Sequence, residues 1–556
     1  MAEAGGPHEA GQSAVEWVAR QQRIAALGQL AGDRLGTGAP PTLPPQAPPL
    51  SPRPPGRARG WWVGAAVTVL CLVLVGAALL GRSLLTPRAT RPSASPVARQ
   101  TAVLACAAGS ARGPFPNIRV SGDSFKAHSE PMLALNPNNP LNLVGGSKFF
   151  TDPAHYQFKI GTYASFDGGC TWTDGGVLPG FEQRGVTSDI SFAFGPRNMV
   201  YAAVLFTGPG QNISGIAVST SSDGGKTFGQ PTTVYEDRTG NIFSDKPWIA
   251  VDQTQGPRRG WIYVVWSYDT GGNCGDGNTC VQALGFSRST DGGQTFAPVQ
   301  QEEGNAPFCD YPATGRTAGS TRCDAVIGAT PVVAPDGTLA VAYAYYDLMS
   351  GPLPTRLILV SSRDGGTTWS APSLVATISD VMGYFPPERY RNETLPAFAS
   401  DPRTGQLYIA WSDKASGFPD VFLASSIDRG AHWSAPLRVN DDAAGTGALH
   451  FQPQLAVAPD GVVTVSFFDT RTDPRHILID VFIAQSVNHG ASLLPNVRVT
   501  SQSWDPTVDA PIDGYGSQFI GDYQGLAAAD QYVYPFWNDT RTGAQEIFTA
   551  AVPSAR

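Results

Sequence analysis

The octapeptides SFDGGCTW (165–172), SSDGGKTF (221–228), STDGGQTF (289–296), SRDGGTTW (362–369), SIDRGAHW (426–433) and the degenerate SVNHGASL (486–493) decide the fold. Their acidic positions, Asp167, Asp223, Asp291, Asp364, Asp428 and then Asn488, follow one another at 56, 68, 73, 64 and 60 residues. That spacing suits one four-stranded blade plus its loops, so the repeat predicts an all-β propeller. Each part of the phrase does a turn's work. The Asp accepts hydrogen bonds from nearby backbone N–H groups, Gly adopts backbone angles that other residues resist, and Trp or Phe anchors the turn to its blade. The repeated Asp residues are therefore read as structural rather than catalytic.

Working outward, the inner-strand units number seven, beginning near Met132, Ile190, Trp248, Pro331, Pro396, Leu455 and Gly525. Second strands such as WIYVVWSYD, LYIAWSD and YVYPFWND follow most of them. The last unit runs to EIFTAAV and lacks a fourth strand. FPNIRVSG (115–122) resembles LPNVRVT (494–500) and APLRVND (435–441), which follow the fifth and sixth octapeptides as outermost strands. The N-terminal segment is thus expected to close the last blade and leave no open sheet edge at the seam. Seven blades is the reading, with six plus an irregular unit as the alternative.

Outside the propeller, residues 61–81 (WWVGAAVTVLCLVLVGAALLG) carry no charge over 21 positions, enough to cross a bilayer as one helix. Sixty residues precede them, which suits an uncleaved signal-anchor better than a cleaved leader. Four segments follow: 1–60, a cytosolic helix with a Pro-rich tail; 61–81, the anchor; 82–114, a stalk; and 115–552, the propeller. Arginines flank both ends of the anchor, so its direction rests on cysteine. Cys106, Cys170, Cys274, Cys280, Cys309 and Cys323 lie beyond it, an even number with two close pairs, 274/280 and 309/323. Disulfides persist in an oxidising compartment, which places the propeller outside the cytosol and the N-terminus within it. Closure of the ring brings the stalk to the octapeptide face, where Cys106 and Cys170 are the expected third pair.

Of 38 basic and 46 acidic residues, positions 1–100 hold ten Arg and four acids, leaving 28 against 42 beyond, a balance of −14. An acidic ectodomain argues against nucleic acid as a partner. Ahead of the inner strands stand Glu130, Asp189, Asp245, Asp324, Glu393 and Asp522, with Gln452 in the remaining unit. Aligned radially, these carboxylates would ring the channel mouth, where a cation such as Ca²⁺ would offset their repulsion. Solvated loop acids are the plainer alternative, and no cofactor is required. Asp441 and Asp442 form a further candidate cation site.

The octapeptide is the Asp-box, and with the unit pattern it makes residues 115–552 resemble the sialidase-like, BNR-repeat propeller superfamily, whose bacterial members are described as exo-α-sialidase-like. The resemblance implies the fold. It implies activity only with an arginine triad for the substrate carboxylate, a Tyr nucleophile assisted by Glu, and an Asp acid/base. The family places its first Arg at the first inner strand, which here reads HSEPMLAL with Glu130 near that place. Arg391, Arg471 and Arg541 are the candidate carboxylate-binding residues. Arg471 and Arg541 occur in the matching loops FDTRTD and NDTRTG, where Asp469 and Asp539 offer a purely local bracing role instead. Tyr523 is the candidate nucleophile and Glu393 its base. The expectation is a membrane-anchored propeller that binds a glycan or protein at the cell surface without true sialidase activity. An exo-α-sialidase-type glycoside hydrolase is the alternative.

Overall fold

The computed structural model describes residues 104, 106, 113–209, 213–270, 281–310, 320–346, 354–379, 383–384, 390–513 and 518–556. The anchor (61–81), the cytosolic segment, most of the stalk, and the Cys274/Cys280 pair lie outside these residues. No helix among the described residues is long and apolar enough to cross a membrane.

Six antiparallel sheets of four consecutive strands succeed one another along the chain. They start with the inner strands Lys126–Leu135, Thr187–Phe194, Phe243–Val251, Val326–Val333, Ala397–Ser400 and His450–Val457. The seventh contains Gly525–Ala528, Tyr532–Asp539 and Glu546–Thr549, and its outer strand is the N-terminal Ile118–Arg119. Ile118 faces Thr549 and Arg119 faces Phe548, so the ring has seven blades and closes as the sequence predicts. Buried on both faces, the middle strands read as apolar runs rather than alternations. Trp537 and Phe548 of blade 7, for example, belong to one core cluster with Phe451, Phe468 and Trp504, which lie in and after blade 6.

Every Asp-box turns between the third and fourth strands of its blade. In the first, Asp167 Oδ1 accepts from Thr171 N at 2.9 Å and Oδ2 from Thr171 Oγ1 at 2.7 Å, while Gly169 N donates to Ser165 Oγ at 2.9 Å. Where the sequence degenerates the geometry survives. His432 Nδ1 takes the Thr role beside Asp428 at 2.7 Å, and Asn488 Nδ2 donates to Ser492 Oγ at 2.8 Å. On this face Cys106 is bonded to Cys170, and elsewhere Cys309 to Cys323.

A second repeat ties blades together. Outer-strand arginines pair with the acid opening the third strand of the same blade: Arg438 with Asp420 at 2.8 Å, Arg498 with Asp480 at 2.7 Å, and Arg119 with Glu546 at 3.7 Å. In two of these places a buried histidine from the next inner strand joins. His450 reaches Asp420 and Asp442, and His128 reaches Glu546 and Asp123.

Candidate functional site

Five inner strands share one irregularity. Pairing with the second strand skips a residue between Ser129 and Met132, Ser188 and Ser191, Asp245 and Trp248, Ile327 and Thr330, and Phe451 and Gln454. The residue at each bulge is left-handed: Glu130 (φ 52°), Asp189 (54°), Lys246 (50°), Gly328 (64°) and Gln452 (47°). For the four that are not glycine this conformation costs about 1–2 kcal/mol each. A bulge re-aims a side chain out of the pleat. Here it turns them toward the ring axis, since Lys246 of blade 3 meets Asp522, just ahead of blade 7, at 2.9 Å.

Around that contact gather, among the described residues, five carboxylates (Glu130, Asp189, Asp245, Glu393, Asp522) and three cations (Lys148, Lys246, Arg391), most of them buried. Glu130 pairs with Lys148 at 2.6 Å. Lys246 also approaches Glu393 at 3.4 Å and Asp189 at 4.0 Å. Arg391 clasps Asp522 along one edge, Nε to Oδ1 at 3.0 Å and Nη2 to Oδ2 at 2.5 Å. The Tyr523 hydroxyl donates to Asp189 Oδ1 at 3.1 Å. Phe519 roofs the group, its ring 4.1 Å from Lys148 Nζ and 4.8 Å from the Arg391 guanidinium.

Burial sets the proton affinities. It pushes Glu130 up to about 7 against the pull of Lys148, and Asp245 up to about 7 against Lys246. Burial and the neighbouring Asp522 raise Glu393. Asp522 goes the other way: burial opposes its charge, but Arg391 and Lys246 overcome that and hold it well below the usual carboxylate range. Burial, then Asp189, pushes the Tyr523 phenol well above 10, so it stays protonated at neutral pH.

Several sequence expectations change here. Tyr523 has Asp189, not Glu393, as its carboxylate partner; Glu393 faces Lys246, with Arg391 at 4.0 Å. Glu130, Asp189, Glu393 and Asp522 do converge, but the bulge in blade 3 carries Lys246, one residue past Asp245. Asp324 lies apart, 3.8 Å from Arg322. For the Ca²⁺ site of Glu130, Asp189, Asp245 and Asp522, the charge a cation would supply comes from Lys148, Lys246 and Arg391, and no grouping suited to a metal occurs among the described residues. Asp441 and Asp442 are likewise matched by Arg471 and by Arg438 with His450.

Arg471 and Arg541 do not join Arg391. Arg471 binds Asp469 at 2.7 Å and Asp441 at 2.5 Å, and Arg541 binds Asp539 at 2.5 Å and Asn117 at 2.7 Å. Each braces its own loop to a neighbouring outer strand. Sequence reasoning missed Lys148 and Lys246. One signal was present: Glu130-Pro131, Lys246-Pro247 and Gln452-Pro453 share a following proline, which aligns the three bulge residues directly.

No family model matches the chain, and no curated protein matches it. Among solved structures, a Dyadobacter fermentans protein of unknown function superposes with TM-score 0.44 at 13% identity, over 79% of this chain and 98% of its own. A Hadza microbial sialidase gives 0.41 at 14%, over 71% and 73%. A leech intramolecular trans-sialidase gives 0.40 at 13%, over 63% and 66%. Seven four-stranded blades, six of them with an Asp-box turn between third and fourth strands, make this chain, in fold, a seven-bladed β-propeller.

Proposed function

We propose that the face opposite the Asp-boxes is a ligand-binding face for a glycan or protein outside the cell, and that the chain has no sialidase turnover. The observation that carries this is Arg391. Among the described residues it is the cluster's one arginine, and its Nε and Nη2 are committed to Asp522, where a sialidase needs three guanidinium groups to receive a substrate carboxylate. Tyr523 adds support, as a phenol held protonated by burial is a weak nucleophile. The uncharged run 61–81 is proposed as a membrane anchor.

A second reading, an exo-α-sialidase-type hydrolase, draws on the 3.1 Å contact between Tyr523 and Asp189, which sets a phenol against a carboxylate able to take its proton. A fluorogenic sialoside separates the two. Purified protein is expected to release nothing above the blank. Robust turnover abolished by Tyr523→Phe would establish the hydrolase instead.

A further inference from the structure

The geometry points to a site for a protonated primary amine in the small cavity beneath the charge cluster. This deepens the ligand-binding reading of the same face and rests on it. The cavity measures about 20 Å³ and is bounded by Trp248, Thr330, Leu395, Gln452, Asp522 and Tyr523 among others. One water needs about 10–15 Å³, so the space admits a single group of that size, such as an ammonium head.

Three features select a cation with N–H donors. The first is a carboxylate on the lining: Asp522, held ionised by Arg391 and Lys246, borders the cavity. Second comes an orphan acceptor on the lining. Gln452 donates through Nε2 to Gly521 O at 2.7 Å. That bond fixes the amide, and its Oε1 is left without a donor among the described residues although the residue is only 3% exposed. An unmet buried acceptor is costly, and a bound donor would relieve it. The third is the wall: the Trp248 and Tyr523 rings stand 5.7 Å apart at 66°, and aromatic surfaces attract ammonium groups. A Ca²⁺ ion, which takes six to eight oxygens, suits this lining poorly. The ectodomain's negative balance would draw such a ligand in.

Titration calorimetry of the full chain in detergent, with methylammonium chloride as the probe and sodium chloride at equal ionic strength as the reference, tests the site. Saturable binding of methylammonium alone is expected. Gln452→Met should weaken it at least tenfold and Gln452→Glu should tighten it, with cooperative melting verifying that both variants fold. Glucosamine and Nα-acetyl-lysine amide, run in parallel, tell whether an amino sugar or a lysyl side chain carries the amine. Methylammonium heats equal to those of sodium, or binding unchanged in Gln452→Met, would overturn the site. A face that still retains ligands on an array while ignoring methylammonium refutes the amine site and leaves the ligand-binding reading standing; sialoside turnover refutes that reading.

Discussion

Replacing His450 by Gln tests how blades 5 and 6 are clasped. The ring is fully buried, its Nδ1 3.5 Å from Asp420 and its Nε2 3.3 Å from Asp442 and 3.6 Å from Asp469. Burial alone would discharge it, but the three carboxylates outweigh that and push its pKa from 6.5 to about 9. A displacement of that size corresponds to about 3 kcal/mol of stability. Because the folded value lies above the unfolded one, the contribution is complete below pH 6.5, shrinks as pH rises, and is gone above pH 9. Urea unfolding followed by tryptophan fluorescence should therefore find His450→Gln less stable than wild type by about 3 kcal/mol at pH 6. The gap should close to nearly nothing by pH 10. Comparing the two proteins at each pH removes the titrations they share. A gap that stays constant, or widens with pH, would show that the imidazole is not held charged by these acids.

Three further outcomes are expected. Gly366→Ala places a Cβ 2.2 Å from Phe286 Cζ at φ +85° and should lower stability by about 2–4 kcal/mol, whereas Gly543→Ala, at the same φ with nothing within 4 Å, should lose only about 1–2; urea midpoints compare them. Asp522→Asn leaves Lys246 and Arg391 facing a neutral amide and should cost about 3–5 kcal/mol in the same assay. Removing the Cys309–Cys323 bond by paired serine substitution, which frees a 14-residue separation, should cost about 3 kcal/mol and abolish the effect of reductant on that loop's proteolysis.

The parts of the fold legible in the sequence are those written in local chemistry. An Asp-box encodes its own turn, so six turns could be counted without coordinates, and RV at the outer strands revealed the closing segment. The candidate site was half legible. Glu130, Asp189, Glu393 and Asp522 share a place in their units and do meet. Their cations could not be found in the same way, because Lys148 comes from a second strand and Lys246 from a bulge that shifts blade 3 by one residue. The partner of Tyr523 is 334 positions distant, and nothing local to either residue encodes that contact. Arg471 and Arg541 resemble ligand-binding groups in sequence, yet their loop carboxylates lie two residues away and claim them first.

The Cys106–Cys170 bond has a mechanical consequence. The closing strand is short: Ile118 and Arg119 pair with blade 7, Val120 N donates to Ile547 O at 2.7 Å, and Ser121 meets Glu546, 425 positions away in the chain. Tension applied from the N-terminal side would ordinarily reach this short strand first and peel the ring open. With the disulfide formed, the load leaves the chain at Cys106 and enters blade 1 through Cys170, by-passing the segment that contains the closing strand. The covalent shunt makes this short seam a slack one. Reduction would restore the strand to the load path, so that the force needed to open the ring would depend on the redox state of one bond well outside the seam.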